Sequence, residues 1–193
     1  MMILSAAFYA LYRGLEYALG GNHKLAVNYV SFLNTSAAIA ISSASILEIV
    51  PYGTLQWWLT SYFAYDSFVI LRKLFVSGSF RRIRALDAIF LLHHGISMAT
   101  LHQAEHAWLL SRLMLTVEVS NFPMYIVKHY IEHSDAPKVR LWRKIQFAVY
   151  APLRIFVVGA FFLVDGAFFI KAMGLPVYVM GLVWSWKLYN NLS

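Results

Sequence analysis

The stretch Ala85-Leu86-Asp87-Ala88-Ile89-Phe90-Leu91-Leu92-His93-His94-Gly95-Ile96-Ser97-Met98-Ala99-Thr100-Leu101 places two adjacent imidazoles inside a mainly apolar run. Such a run reads as a helix surrounded by hydrocarbon or by other helices. Two histidines there are expensive to bury, so they mark a functional site before anything else about the chain is known.

The rest of the sequence supports that environment. Of 193 residues, 60% are hydrophobic and only 13% charged, and the mean hydropathy is +0.61. This is too apolar for an ordinary soluble domain, and predicts an integral membrane protein. The chain has no cysteine, which removes disulfide and metal-thiolate chemistry. The formal charge of +7 would suggest nucleic acid in a soluble protein. Here the basic residues lie in short loops beside apolar runs, where they set orientation against a membrane, and no nucleic-acid partner is expected.

A membrane-crossing helix needs about 20 mainly apolar residues. Six such spans are expected, at about 25–49, 55–77, 86–103, 106–130, 145–170 and 174–190, forming one membrane domain over residues 25–190. A short N-terminal helix over residues 1–20 precedes them. It is apolar as far as Tyr12 and is then interrupted by Arg13 and Glu16. No small-residue cleavage site precedes Asn22, so this helix is expected to stay on the chain. Turn compositions such as Gly20-Gly21-Asn22, Pro51-Tyr52-Gly53 and Ser134-Asp135-Ala136-Pro137 punctuate the spans. Nearly all loop Lys and Arg residues, among them Lys24, Arg72, Arg81, Arg82, Arg84, Lys138 and Lys187, then fall on one side, and Lys171 on the other. The positive-inside rule makes the first side, with the C-terminus, cytosolic. Trp57, Trp58, Trp108, Trp142 and Trp184 lie near span ends and read as interface anchors.

Within or near the spans remain Asn34, Asp66, His93, His94, Arg112, Glu118, Ser120, Asn121, Arg154 and Asp165. Each charge at mid-membrane costs about 2.5–3.5 kcal/mol on insertion scales. A chain that keeps several of them is expected to turn them inward around a shared polar cavity. Tyr62, four residues before Asp66, shares its helix face. Metal binding by the histidines is not expected. His102 and His106, and likewise His129 and His133, have chelating i, i+4 spacing, but the topology puts these pairs at opposite membrane edges, with His93-His94 between them. Adjacent helical residues also diverge by about 100°, so His93 and His94 chelate poorly by themselves.

The order Ser61-Tyr62-Phe63-Ala64-Tyr65-Asp66, a basic turn, His93-His94, Glu118-Val119-Ser120-Asn121-Phe122-Pro123, Arg154-Ile155 and Trp184-Ser185-Trp186-Lys187 resembles the TLC-domain family, named for its TRAM, LAG and CLN groups. The resemblance covers about residues 25–190. It implies an all-α integral membrane protein, a six-transmembrane-helix bundle around a central polar cavity, usually resident in the endoplasmic reticulum. The ceramide synthases of that family join an acyl-CoA to a sphingoid amine. They follow the double histidine with a His-Asp and Asp element, where this chain has Glu118 and Ser120. That departure is closer to the branch linked to membrane lipid composition. Pro123 also stands five residues after Glu118, where the family usually has four.

Two readings of the site follow. In the first, the cavity binds a lipid or fatty-acyl group, with Tyr62, Asn34, Ser120, Asn121 and Arg154 against its polar part. In the second, the chain is an acyl-CoA-dependent N-acyltransferase. An imidazole of His93 or His94 accepts the acyl group or acts as general base, and Asp66 or Glu118 orients a ring nitrogen or takes the proton of the nucleophile. Arg81, Arg82 and Arg84 would then receive the phosphates of acyl-CoA, the one co-substrate implied. Neither reading calls for a metal or a tightly bound cofactor; membrane lipids are the expected partners.

Overall fold

The computed structural model of the chain describes residues 2–76, 85–163 and 168–192, and these are almost entirely helical. Arg81, Arg82, Arg84 and Asp165 lie outside the described residues, and with them the expected acyl-CoA phosphate contacts. The helices are α1 (Met2–Ala18), α2 (His23–Ile46), α3 (Tyr52–Val76), α4 (Ala85–Leu101), α5 (Ala107–Glu132), α6 (Ala136–Pro152), α7 (Val158–Phe161) and α8 (Phe168–Asn190). A 3-10 turn, Ala104–His106, leads into α5, and a π-helical turn, Leu153–Val157, joins α6 to α7.

Local chemistry sets several of these ends. Gly20 and Gly21 both adopt positive φ in the tight turn between α1 and α2, a conformation glycine enters without steric cost. The Asn22 side chain then caps α2 by accepting from the Leu25 amide at 3.0 Å. Asp135 caps α6 in the same way through the Lys138 amide, with Pro137 in the first turn, where a missing N–H is harmless. That cap starts the helix nine residues before the expected span at 145. The added turns carry Lys138, Arg140, Arg143 and Lys144, which belong to the helix but not to its apolar part.

Six helices close into a ring. α2 packs on α3, α3 on α4, α4 on α8, α8 on α6, α6 on α5, and α5 back on α2. α1 lies outside the ring against α2 and α3. Phe8 meets Trp58 and Tyr62 edge-on, with ring centroids 5.2 and 5.6 Å apart, and Tyr12 is buried beside it.

The α2–α5 seam is the most extensive contact, and the sequence of α2 explains it. Asn28, Ser31, Thr35, Ala38, Ser42 and Ser45 recur at steps of three and four residues. This stripe of small and polar side chains lets the backbones approach and supplies cross-helix hydrogen bonds. Asn28 donates to the Tyr125 carbonyl at 2.9 Å, Thr35 to Glu118 at 2.6 Å, and Ser45 meets Ser111 at 3.1 Å. As α2 advances, its partners step backward along α5, so the helices are antiparallel.

Among the described residues two helical stretches, His23–Ile46 and Ala136–Phe161, are long and apolar enough to cross a membrane. Six were expected. α4 and α8 begin at the first residues described after 84 and 167, and α3 and α5 carry charges within their length: Asp66, Arg72 and Lys73; Arg112, Glu118, Lys128 and Glu132.

Candidate functional site

A cavity of about 590 Å³ occupies the centre of the ring, lined from α2, α3, α4, α5, α6, α7 and α8. Helical periodicity explains why each element contributes. On α5, Met114, Glu118, Asn121, Tyr125 and Lys128 repeat at three- and four-residue steps and all face it. Gln146, Tyr150, Arg154 and Val158 do the same on the α6–α7 arm. Repeated four-residue steps drift around an α-helix, and the wider π turn at Leu153–Val157 offsets that drift, so Arg154 and Val158 share the lining.

The wall is polar in a band and at one end. Asp66, His93, His94, Glu118, Asn121 and Arg154 form the band, with Asp87, Lys128 and Gln146 toward the end where α6 begins. Toward the other end the lining becomes mainly apolar, with Ile96, Leu109, Leu113, Val117, Val158 and Phe161, interrupted by Ser97, Thr100 and Lys171. From Glu118 to Leu109 this apolar half runs about 13 Å along α5.

His94 is the most firmly held of the site residues. Its Nε2 lies 3.3 Å from Asp66 Oδ2, and its Nδ1 lies 3.0 Å from Ser67 Oγ. The Phe63 ring stacks on the imidazole, with centroids 5.2 Å apart and planes at 29°. A carboxylate facing Nε2 favours a proton there, which leaves Nδ1 to accept from the Ser67 hydroxyl. His93 lines the same cavity, but its Nδ1 is buried without a hydrogen-bond partner among the described residues. The adjacent rings are 5.7 Å apart.

Of the two acids expected to orient a ring nitrogen or take the proton of the nucleophile, Asp66 is the one beside His94. Glu118 accepts a 2.6 Å hydrogen bond from Thr35 across the α2–α5 seam. Asn34 lines the cavity and accepts from Trp58 Nε1 at 3.0 Å. Trp58 therefore faces inward, unlike the exposed Trp57 and Trp108. Tyr62 donates to Ser31 Oγ at 2.9 Å. Ser120 was expected to touch ligand, but it is fully buried behind the lining. It accepts from Arg154 Nε at 2.8 Å, while Asn121 Oδ1 accepts from Nη2 at 2.9 Å. Gly181 of α8 lies so close that a Cβ there would stand 3.4 Å from Arg154 Cβ.

The remaining polar residues lie elsewhere. Arg112 is exposed, its guanidinium 4.0 Å from the centre of the Trp108 ring. His102 bonds the Met98 carbonyl, His133 the His129 carbonyl, and His129 meets Tyr29 at 3.1 Å. Thr35, Ser67, Lys128 and Tyr150 take part in the site without standing out in the sequence. The only available signal was the spacing of the small polar stripe on α2 and of the α5 face.

Comparison of the chain with protein families, curated proteins and solved structures finds no significant match.

Proposed function

We propose that this chain is a TLC-domain-like membrane protein of lipid metabolism or homeostasis, which holds a lipid or fatty-acyl group in its central cavity. In this reading the ring helices cross the membrane of the endoplasmic reticulum six times, with α1 beside them and the C-terminus cytosolic. Support comes from the outer surface, where Phe68, Phe75, Leu92, Phe156 and Trp186 are exposed around the ring. Water would penalise such a surface and lipid would not.

The observation that carries the proposal is the shape of the cavity. One continuous space joins a polar band of Asp66, His93, His94, Glu118, Asn121 and Arg154 to an apolar half. Head group and chain of an amphiphile need these two environments, and a largely apolar pocket with a few convergent polar groups is the usual form of a small-ligand site.

The Asp66–His94–Ser67 arrangement favours a second reading, acyl transfer from a long-chain acyl-CoA to an amine. The amine displaces the Ser67 hydroxyl from His94 Nδ1, so that His94, oriented by Asp66, is the general base, and His93 is the ring that meets the thioester. Attack on the carbonyl carbon forms a nitrogen–acyl bond and expels the coenzyme A thiolate. An amine then takes the acyl group and releases the imidazole, and the proton it loses passes through His94 to the thiolate, which leaves as coenzyme A thiol.

Incubation of the purified chain with long-chain acyl-CoA, followed by mass spectrometry of intact protein and of extracted lipid, tests both readings. A co-purifying lipid lost in the His93→Ala/His94→Ala double variant, with no adduct, supports binding. A histidine-dependent mass increase of one acyl chain supports transfer. Absence of both rejects the proposal.

A further inference from the structure

Resting on the reading of the cavity as a lipid site, the charges on its wall define the head group it takes. Arg154 is only 5% exposed. Among the described residues no carboxylate lies within 4 Å of its guanidinium; the ion pairs are formed elsewhere. Its partners are the neutral oxygens of Ser120 and Asn121 and the face of Tyr150, 5.1 Å away. The nearest acid along α5, Glu118, is bonded to Thr35 on α2 and attracts Arg154 only from beyond contact distance. Lys128 lines the end of the cavity.

A guanidinium keeps its proton at any ordinary pH and has five donors in a planar fork. Ser120 and Asn121 use two of those donors and aim the group without neutralising it. An unmatched cation in low-dielectric surroundings is costly, and an anion placed against it recovers much of that cost. Arg154 also sits in the polar band, where Val158 and Phe161 begin the apolar lining.

We propose that the cavity takes an amphiphile with an anionic head group, a carboxylate or a phosphate, seated on Arg154 with its chain along Leu113, Val158 and Phe161. Ser120 and Asn121 are positioning residues for this contact. Lys171, the remaining lysine of the lining, lies at the start of α8, at the end of the cavity where the chain would run.

Native mass spectrometry of the whole chain in a neutral detergent, titrated separately with dodecanoate, dodecyl phosphate and dodecanol, tests the assignment. At least one anion should bind tenfold or more tightly than dodecanol. Arg154→Gln should bring all three within about twofold, and Arg112→Gln, at an exposed cation outside the cavity, should leave the preference in place. The better of the two anions identifies the head group as carboxylate or phosphate. Equal binding of all three probes to the wild type, or a preference that survives Arg154→Gln, overturns the inference while leaving the lipid site standing. Failure of all three to bind overturns the lipid site as well. Should Arg154→Gln not fold, Arg154→Lys keeps the charge, and the wild-type comparison with dodecanol still decides.

Discussion

Thr35 Oγ1 donates to Glu118 Oε2 at 2.6 Å, one heptad along the α2–α5 seam from the bond between Asn28 and the Tyr125 carbonyl. This contact ties α2 to α5 and gives a buried acid its hydrogen-bond donor. Removing the donor should therefore be felt. Thr35→Val keeps the shape and deletes the hydroxyl, leaving a buried carboxyl short of a partner at a cost of about 1–3 kcal/mol. The variant should unfold at lower temperature in detergent, and Thr35→Ser should restore most of the loss. An unchanged transition for Thr35→Val would mean that water or another group satisfies Glu118.

His94→Ala should leave the protein folded, because the side chain borders a cavity, and should abolish lipid occupancy or acyl transfer. Ser67→Ala removes one hydrogen bond to the ring, worth about 1 kcal/mol, and should weaken the same readout about fivefold. Lipid retained on the purified variants measures both. Full retention by His94→Ala would reduce the histidine to a packing role.

Gly181 marks the close approach of α8 to Arg154. A Cβ at this position meets Arg154 carbons at 3.4–3.7 Å, a contact the structure tolerates. Gly181→Ala should thus be nearly neutral, whereas Gly181→Val adds methyls where the arginine stem lies and should destabilise by about 1–3 kcal/mol. Thermal unfolding of the two variants side by side checks the difference.

Asp135 lies in the α5–α6 turn, where its hydrogen bonds to Lys138 hold its carboxyl below the ordinary value of 3.8. A carboxyl with a lowered folded value stabilises the protein above the unfolded value and loses that contribution as pH falls through the folded one. Asp135→Asn keeps a cap without the charge. Wild type should therefore be the more stable near neutrality, with the gap closing below a pH of about 4. A gap of constant size across that range would remove the ionic contribution. Lys138 is exposed and Asp135 partly so, and the effect should be small and diminish in salt.

His102→Ala should be silent. The residue is exposed and its Nδ1 is bonded to the Met98 carbonyl of its own helix, away from the cavity. Loss of lipid occupancy in this variant would reopen a role for the edge histidines.

Helical content, the position of most helices and the inward gathering of Asp66, His93, His94, Glu118, Asn121 and Arg154 were legible in the sequence. These properties follow from hydrophobic length, from turn residues and from the price of charge in apolar surroundings, all of which act residue by residue. The partners of each polar group were not legible. Whether Asp66 or Glu118 meets His94, whether Ser120 faces ligand or holds Arg154, and whether Trp58 points outward or to Asn34 depend on helix rotation and register. Those are decided when α2 and α5 seat their small residues together and when the π turn after Pro152 rotates the arm that carries Arg154. A hydrogen bond needs placement to within tenths of an ångström, and only the closed ring of packed helices supplies it.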